Sequence, residues 1–176
     1  AADERLISVC VALVGEMLVN SGLTDDPVKA REQARASLDS GAALERFGRM
    51  VAGLGGPADF TDHPERYLTA AAVVRPVMAE RAGYVSAHAT RDLGIAIIAL
   101  GGGRTQPRAP IDHAVGLSSI AGPRDWVGPG RDDRPLALIH AASEADFEAA
   151  VEAVRAAIDV SDEQPMPRPL ELDVVR

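Results

Sequence analysis

The residues of this chain most able to do chemistry sit together in the stretch from Leu100 to Leu117, LGGGRTQPRAPIDHAVGL. Gly101, Gly102 and Gly103 would let a backbone approach a phosphate closely. Arg104 and Arg108 would supply charge, and Asp112 with His113 suggests an acid–base pair. A phosphate loop, however, follows a strand and opens a helix, so that the positive helix N-terminus faces the anion. Here the order is reversed. Leu93, Ala96, Ile97 and Leu100 recur at helical spacing, so the glycines follow a helix, whose C-terminal end carries partial negative charge. No Gly-Lys-Ser or Gly-Lys-Thr comes after them. The reading is therefore structural. Gly101 ends the helix in a left-handed conformation, and Gly102 and Gly103 permit close backbone packing. Arg104 then lies where it can bond helix-end carbonyls or Asp112.

The other candidates are weaker. Asp112 and His113 are adjacent, and neighbours on an extended segment point to opposite sides. Asp112 is expected to pair with Arg104 or Arg108, or to cap a turn. His63, His88 and His140 are scattered, with no two at a metal-ligand spacing, so no metal site is expected. His140 reads as a satisfied core or edge histidine. There is no Gly-x-Ser-x-Gly elbow and no Ser/His/Asp arrangement. Tyr84 and Trp126 look too isolated for a base-stacking platform. Cys10 is the only cysteine. Among Val9, Val11 and Leu13 it reads as a buried, inert thiol. Lys29 is the only lysine, which leaves one candidate for any Schiff base or carrier arm. The residues show no catalytic set and imply no cofactor.

Composition narrows the classes further. The 176 residues are 47% hydrophobic and 25% charged, the balance of a globular protein. A net charge of −8 argues against a nucleic-acid backbone as partner. No apolar run approaches a membrane span, and the start Ala1-Ala2-Asp3-Glu4-Arg5 has no signal-peptide layout. A cytoplasmic protein is expected. The chain lacks an initial Met, so either processing removed one or the chain begins inside a longer protein.

The first third reads as three helices. Leu6, Ile7, Cys10, Leu13, Val14, Met17 and Leu18 form one apolar face, stopped by Gly22. Asp26-Pro27 opens a second helix with a weaker face at Val28, Ala34 and Leu38, ended by Gly41. A third spans about residues 42–54 with Leu44, Phe47, Met50, Val51 and Leu54 inward, ended by Gly55-Gly56-Pro57. Residues 69–80 change texture, and Pro76 makes that segment an edge strand near a boundary. A strand over YVSAHA follows, then a helix capped by Thr90 and running from Arg91 to about Leu100. DWV at 125–127 reads as a short strand and RPLALIHA at 134–141 as a strong one. Ser143 and Asp146 form a capping box for a helix over residues 144–159 with Phe147, Ala150, Val151, Val154 and Ile158 inward. LELDVV near the C-terminus reads as a final edge strand. The expected domains are 1–75, helical, and 76–176, α+β.

LGGGRTQPRAPIDHAVGLSSIA followed by DWVGPGRDDRPLALIHAASEADFEAAVEAVRAAI resembles the C-terminal domain of the thymidine phosphorylases, the pyrimidine-nucleoside phosphorylase family. GYVSAHATRDLGIAIIALGGGR is similar to the family's Gly-x-Val…Asp-x-Arg…Gly segment and its Leu-Gly-Gly/Ala-Gly-Arg motif. Ile111, Asp112, Val115 and Gly116 match its Ile-Asp-x-x-Val-Gly motif. LISVCVALVGEMLVNSGL and ALERFGRMVAGLGGPADF look like helices of the family's large domain. The resemblance implies an α/β to α+β chain: a helical segment of the large phosphorylase domain, then a hammerhead-like α+β domain. It implies reversible phosphorolysis of thymidine or a related pyrimidine nucleoside, with phosphate and nucleoside as ligands and a homodimer at full length. The family's Lys-x-Ser-x-Gly-Gly phosphate loop and its base-holding residues do not occur here. The chain thus looks like a C-terminal portion, inactive alone, with no catalytic or substrate-binding residue of its own. Gly101, Gly102, Gly103, Arg104, Ile111, Asp112 and Gly116 are then structural family signatures. Two other readings stand beside this one. A free-standing structural or regulatory module related to biotinyl and lipoyl hammerheads lacks the carrier lysine in this region. The substrate could also be another nucleoside or a nucleoside monophosphate.

Overall fold

The computed structural model describes residues 3–130 and 132–169. The chain divides into two compact units. Among the described residues, one takes in 3–67 with 168 and 169, and the other spans Leu68–Pro167. The proposed C-terminal LELDVV strand lies outside the described residues.

The first unit is helical. In α1 (Glu4–Asn20) the Asp3 carboxylate accepts from the amides of Arg5 and Leu6, so the cap sits three residues before the apolar row. Gly22, at φ 72°, turns the chain out of the helix while its amide and that of Leu23 satisfy carbonyls of the last turn. In α2 (Pro27–Asp39) Asp26 accepts from Val28 and Lys29, and Pro27 occupies the first turn. Replacing Asp26 with Ala is expected to cost about 1 kcal/mol, read as a lower urea midpoint for the helical unit. In α3 (Ala42–Gly53) the preceding Gly41 sits at φ 79°.

The packing of these helices corrects the expected core. α1 meets α2 through small residues: Ala12 and Gly15 on one side, Ala30 and Ala34 on the other, all buried. A Cβ on Gly15 would come within 2.8 Å of Arg31 Cγ, so the approach depends on the missing side chain. This seam turns the large apolar residues outward. Leu6, Leu13 and Met17 are more than 60% exposed, and Cys10 is exposed rather than buried. The same holds in α3, where Leu44, Phe47, Met50 and Leu54 are exposed rather than inward. Helical period located these faces, but it could not say which side the neighbouring helix would take.

Phe47 of α3, Phe60 and Tyr67 meet in series with neighbouring ring centroids 6.2 Å apart. The Tyr67 hydroxyl donates to Asp59, which also receives Arg66. That hydroxyl holds the Asp59 carboxyl below its usual range, and the carboxylate raises the Tyr67 phenol. The sign follows from linkage. The lowered carboxyl contributes stability above its unfolded value of 3.8 and loses it as pH falls through the folded value. The raised phenol contributes below 10.0 and loses it as pH rises through its folded value. Tyr67→Phe is therefore expected to lower the urea midpoint at neutral pH and to match the parent at both extremes. A gap independent of pH would show that the bond contributes nothing.

The second unit carries two three-stranded antiparallel sheets. One has the order β1 (Val73–Val77), β5 (Ala137–Ala141), β3 (Gly116–Ser118). The other has the order β4 (Trp126–Val127), β2 (Gly83–His88), β6 (Ile158–Ser161). Pro76 lies in β1, at a sheet edge, where a missing N–H is tolerated. Residues on both sides of position 75 belong to this one strand. Along the chain, α4 (Thr90–Ile97) follows β2 and α5 (Glu144–Ala157) joins β5 to β6. The core gathers Val77, Val85, Leu93, Leu100, Val127, Leu136, Ile139, Phe147, Val154 and Ile158. Arg75 spans the rim, its guanidinium 4.0 Å from the Phe147 ring centre and paired with Glu144 and Glu148.

Three details differ from expectation. Thr90 is the first residue of α4 rather than its cap; Ala89 precedes it and makes no side-chain cap. The last helix stops at Ala157, and Ile158 opens β6, a strand that helical spacing had absorbed. β3 was not anticipated, being three residues long with a glycine first. The Ser143 hydroxyl does accept from the Asp146 amide and donates to the Asp146 carboxylate, as the capping pattern suggested.

Candidate functional site

The glycine stretch forms a crossing at the end of α4. The helix widens into a π-turn over Ile98–Gly102, and Gly101 at φ 98° breaks it. Gly102 and Gly103 press back onto this turn. A Cβ on Gly102 would lie 2.8 Å from Ile97 Cγ2 and 3.1 Å from the Ile97 carbonyl oxygen. One on Gly103 would lie 2.6 Å from Ile98 Cγ1. Only glycine fits either place without moving the helix. Gly101→Ala is expected to cost about 1–2 kcal/mol through its positive φ, read as a lower urea midpoint of the second unit.

The chain then leaves in a surface loop and returns. The Asp112 amide donates to the Gly101 carbonyl at 3.0 Å and pins the two ends together. The Asp112 carboxylate accepts from the Ala114 amide at 2.9 Å, capping the turn that leads to Gly116 and β3. Arg104 Nε donates to the Ala109 carbonyl across the loop at 3.1 Å. Arg108 sits at φ 67° at its exposed tip. Ile111 is half-buried behind Asp112, and His113 is exposed. Asp112 thus caps a turn and does not act on its neighbour His113.

The remaining histidines are placed apart. His88 Nε2 is 2.8 Å from the Ala121 carbonyl, and His140 Nε2 is 2.7 Å from Ser118 Oγ. His63 Nδ1 is 3.5 Å from a Glu65 carboxylate oxygen. Among the described residues no three His, Cys, Asp or Glu side chains gather as a metal would need. Sequence reasoning missed one association. Tyr84 and Trp126 are not isolated but face each other across β2 and β4, their rings edge-on with centres 4.8 Å apart. The signal lay in the tertiary pairing, since 42 residues separate them in the chain. A hollow of about 70 Å³ between α4 and α5 is lined mostly by Ala96, Ala99, Ala149, Ala150 and Ala153. Pockets that enclose small ligands run from about 300 to 1,000 Å³. No described helix is long and apolar enough to cross a membrane.

Against known families, residues 84–161 match the pyrimidine nucleoside phosphorylase C-terminal domain. The match begins one residue into β2 and ends with β6, so it takes in the glycine crossing and all of the β4-β2-β6 sheet except Gly83.

Proposed function

We propose, from the match of residues 84–161 to the pyrimidine nucleoside phosphorylase C-terminal domain, that the chain is the C-terminal portion of such an enzyme, inactive alone. The parent reaction is reversible phosphorolysis of thymidine or a related pyrimidine nucleoside. Phosphate attacks the anomeric carbon, the bond to the base breaks, and free base and pentose 1-phosphate form. That chemistry needs an anion site, stabilisation of an oxocarbenium-like transition state and a donor to the departing base. In this reading Gly101, Gly102, Gly103, Arg104, Ile111, Asp112 and Gly116 shape the domain and do not touch substrate. Phosphate, the nucleoside and the homodimer partner belong to the full-length cytoplasmic enzyme.

One observation outside the matched segment carries the claim of incompleteness. From Leu6 to Gly15, α1 has no charged residue, and Leu6, Leu13 and Val14 are exposed there. A helix apolar on nearly all sides is one that a protein buries. The missing cover is the part of the large domain that bears the phosphate loop.

A coupled assay for free thymine tests this. The 176-residue chain with thymidine and phosphate is expected to release none. Co-expression with an upstream segment carrying a Lys-x-Ser-x-Gly-Gly loop is expected to restore turnover. Turnover by the chain alone, or none with the upstream segment bound, would refute the reading.

A further inference from the structure

We propose that the chain leaving β6 is a releasable strap, closed over the outer face of the β4-β2-β6 sheet by a clasp between Arg124 and Gln164. An unusual residue in a turn points to it. Gly122, Pro123, Arg124 and Asp125 form a β-turn, in which the Asp125 amide donates to the Gly122 carbonyl at 3.1 Å. Arg124 stands third at φ 76°. With proline second, that is the place in a type II turn where glycine or asparagine is usual. A longer side chain there strains the backbone, and such strain persists only where the surroundings hold it. The partner is Gln164. The Arg124 guanidinium donates to Gln164 Oε1 at 3.2 Å, and Gln164 Nε2 donates back to the Arg124 carbonyl at 3.4 Å. Glycine would relax the turn but could keep only the second bond.

The strand register fixes where the clasped chain runs. Tyr84 lies opposite Trp126 in β4 and opposite Ser161 in β6. Residues paired across a ladder share a face, so these three side chains stand on one side of the sheet. Their neighbours Val85 and Val127 point the other way, into the core. The Ser161 hydroxyl donates to the Glu163 carbonyl at 2.7 Å and turns the chain back over the outer side. Arg81 anchors the start, paired with Asp162 and donating to the Val160 carbonyl. Gln164 then meets Arg124, two residues ahead of Trp126. The strap thus leaves the β6 edge and crosses toward the β4 edge on the side that carries Tyr84 and Trp126. Both bonds of the clasp are exposed, so water competes with them. The strap can open locally while the core stays intact, and opening bares the aromatic pair further.

Amide exchange in the full chain tests this, with variants that separate the clasp from the turn. Arg124→Gly suits the turn, so the urea midpoint of the second unit should hold. Exchange at Asp162–Gln164 and Met166 should nevertheless speed up on the order of tenfold. Gln164→Ala should loosen the same amides without touching the turn. Gln164→Glu keeps an acceptor for the guanidinium and should return exchange toward that of the parent. Unchanged exchange in both Arg124→Gly and Gln164→Ala would overturn the proposal, because Arg124 would then serve the turn alone. A Gln164→Glu variant as loose as Gln164→Ala would overturn it as well. Trp126 is the only tryptophan, so its quenching by acrylamide reports on the covered face. Quenching should rise wherever exchange does. Parent-like quenching in a loosened variant would place the strap elsewhere and overturn the proposal.

Discussion

Ile139→Ala is expected to be the most damaging single truncation in the second unit, costing about 2–5 kcal/mol. Ile139 is 0% exposed and stands in the central strand of its sheet. Its backbone pairs with Arg75 on one side and Leu117 on the other. It belongs to one continuous buried cluster with Val77, Leu136, Phe147 and Val154. Both sheet neighbours are fixed by the ladder, so the space left by the removed carbons cannot close by a strand shift. The cavity term is therefore added in full to the lost transfer energy. In a unit of about 100 residues each kcal/mol moves the melting temperature by about 4–8 °C. A loss of 10 °C or more by calorimetry is the expected outcome. Ile139→Val, which keeps most of the volume, should lose about 1 kcal/mol. Equal losses for the two variants would show that the site collapses around the deletion.

Gly83→Val is expected to be comparably severe for the opposite reason. A Cβ at position 83 would sit 2.6 Å from the Ser161 carbonyl oxygen and 2.7 Å from Val160 Cγ1. The first of these is backbone in the paired strand β6 and cannot rotate away. Even Gly83→Ala must push β6 off β2, with an overpacking cost of about 1–3 kcal/mol. Valine adds two further methyl groups to the same gap, so its loss should exceed that of alanine. Chemical denaturation of both variants checks the order. An Ala variant as stable as the parent would mean that β6 yields without losing its ladder. Trp126 sits beside this position, paired across from Tyr84, so its fluorescence should report the displacement directly.

How far the fold could be read from the sequence depends on what decided each element. Helix ends were legible because local chemistry sets them: Asp26-Pro27, Gly22, Gly41 and Ser143 all act where their side chains or missing Cβ atoms predict. The edge position of β1 was legible from Pro76 alone. Burial in the helical unit was not. The same periodicity fits a face turned toward a partner and one turned outward, and Ala12, Gly15, Ala30 and Ala34 won the contact by allowing close approach. Ile158 was assigned to a helix because Val151, Val154 and Ile158 keep helical spacing. Pairing with His88 in β2 overrides it. For the glycine crossing, the expected element order holds, the glycines following α4, and Gly101 adopts the left-handed turn that a helix end requires. The Tyr84–Trp126 contact needed a register that no local signal specifies.

The direct passage from α5 into β6 carries a consequence for how this domain can change over generations. Ala157 is helical, Ile158 is already paired, and no connecting residue lies between them. One inserted residue there would slip β6 by one position, sending Ile158 to the solvent side and Asp159 into the core. The glycine-pinned loop behaves oppositely, because the bond from Asp112 to Gly101 closes its neck whatever the length of the excursion. Insertions and deletions should accumulate between residues 102 and 111 and be purged at 157–158, a contrast that a library of single-codon insertions would expose.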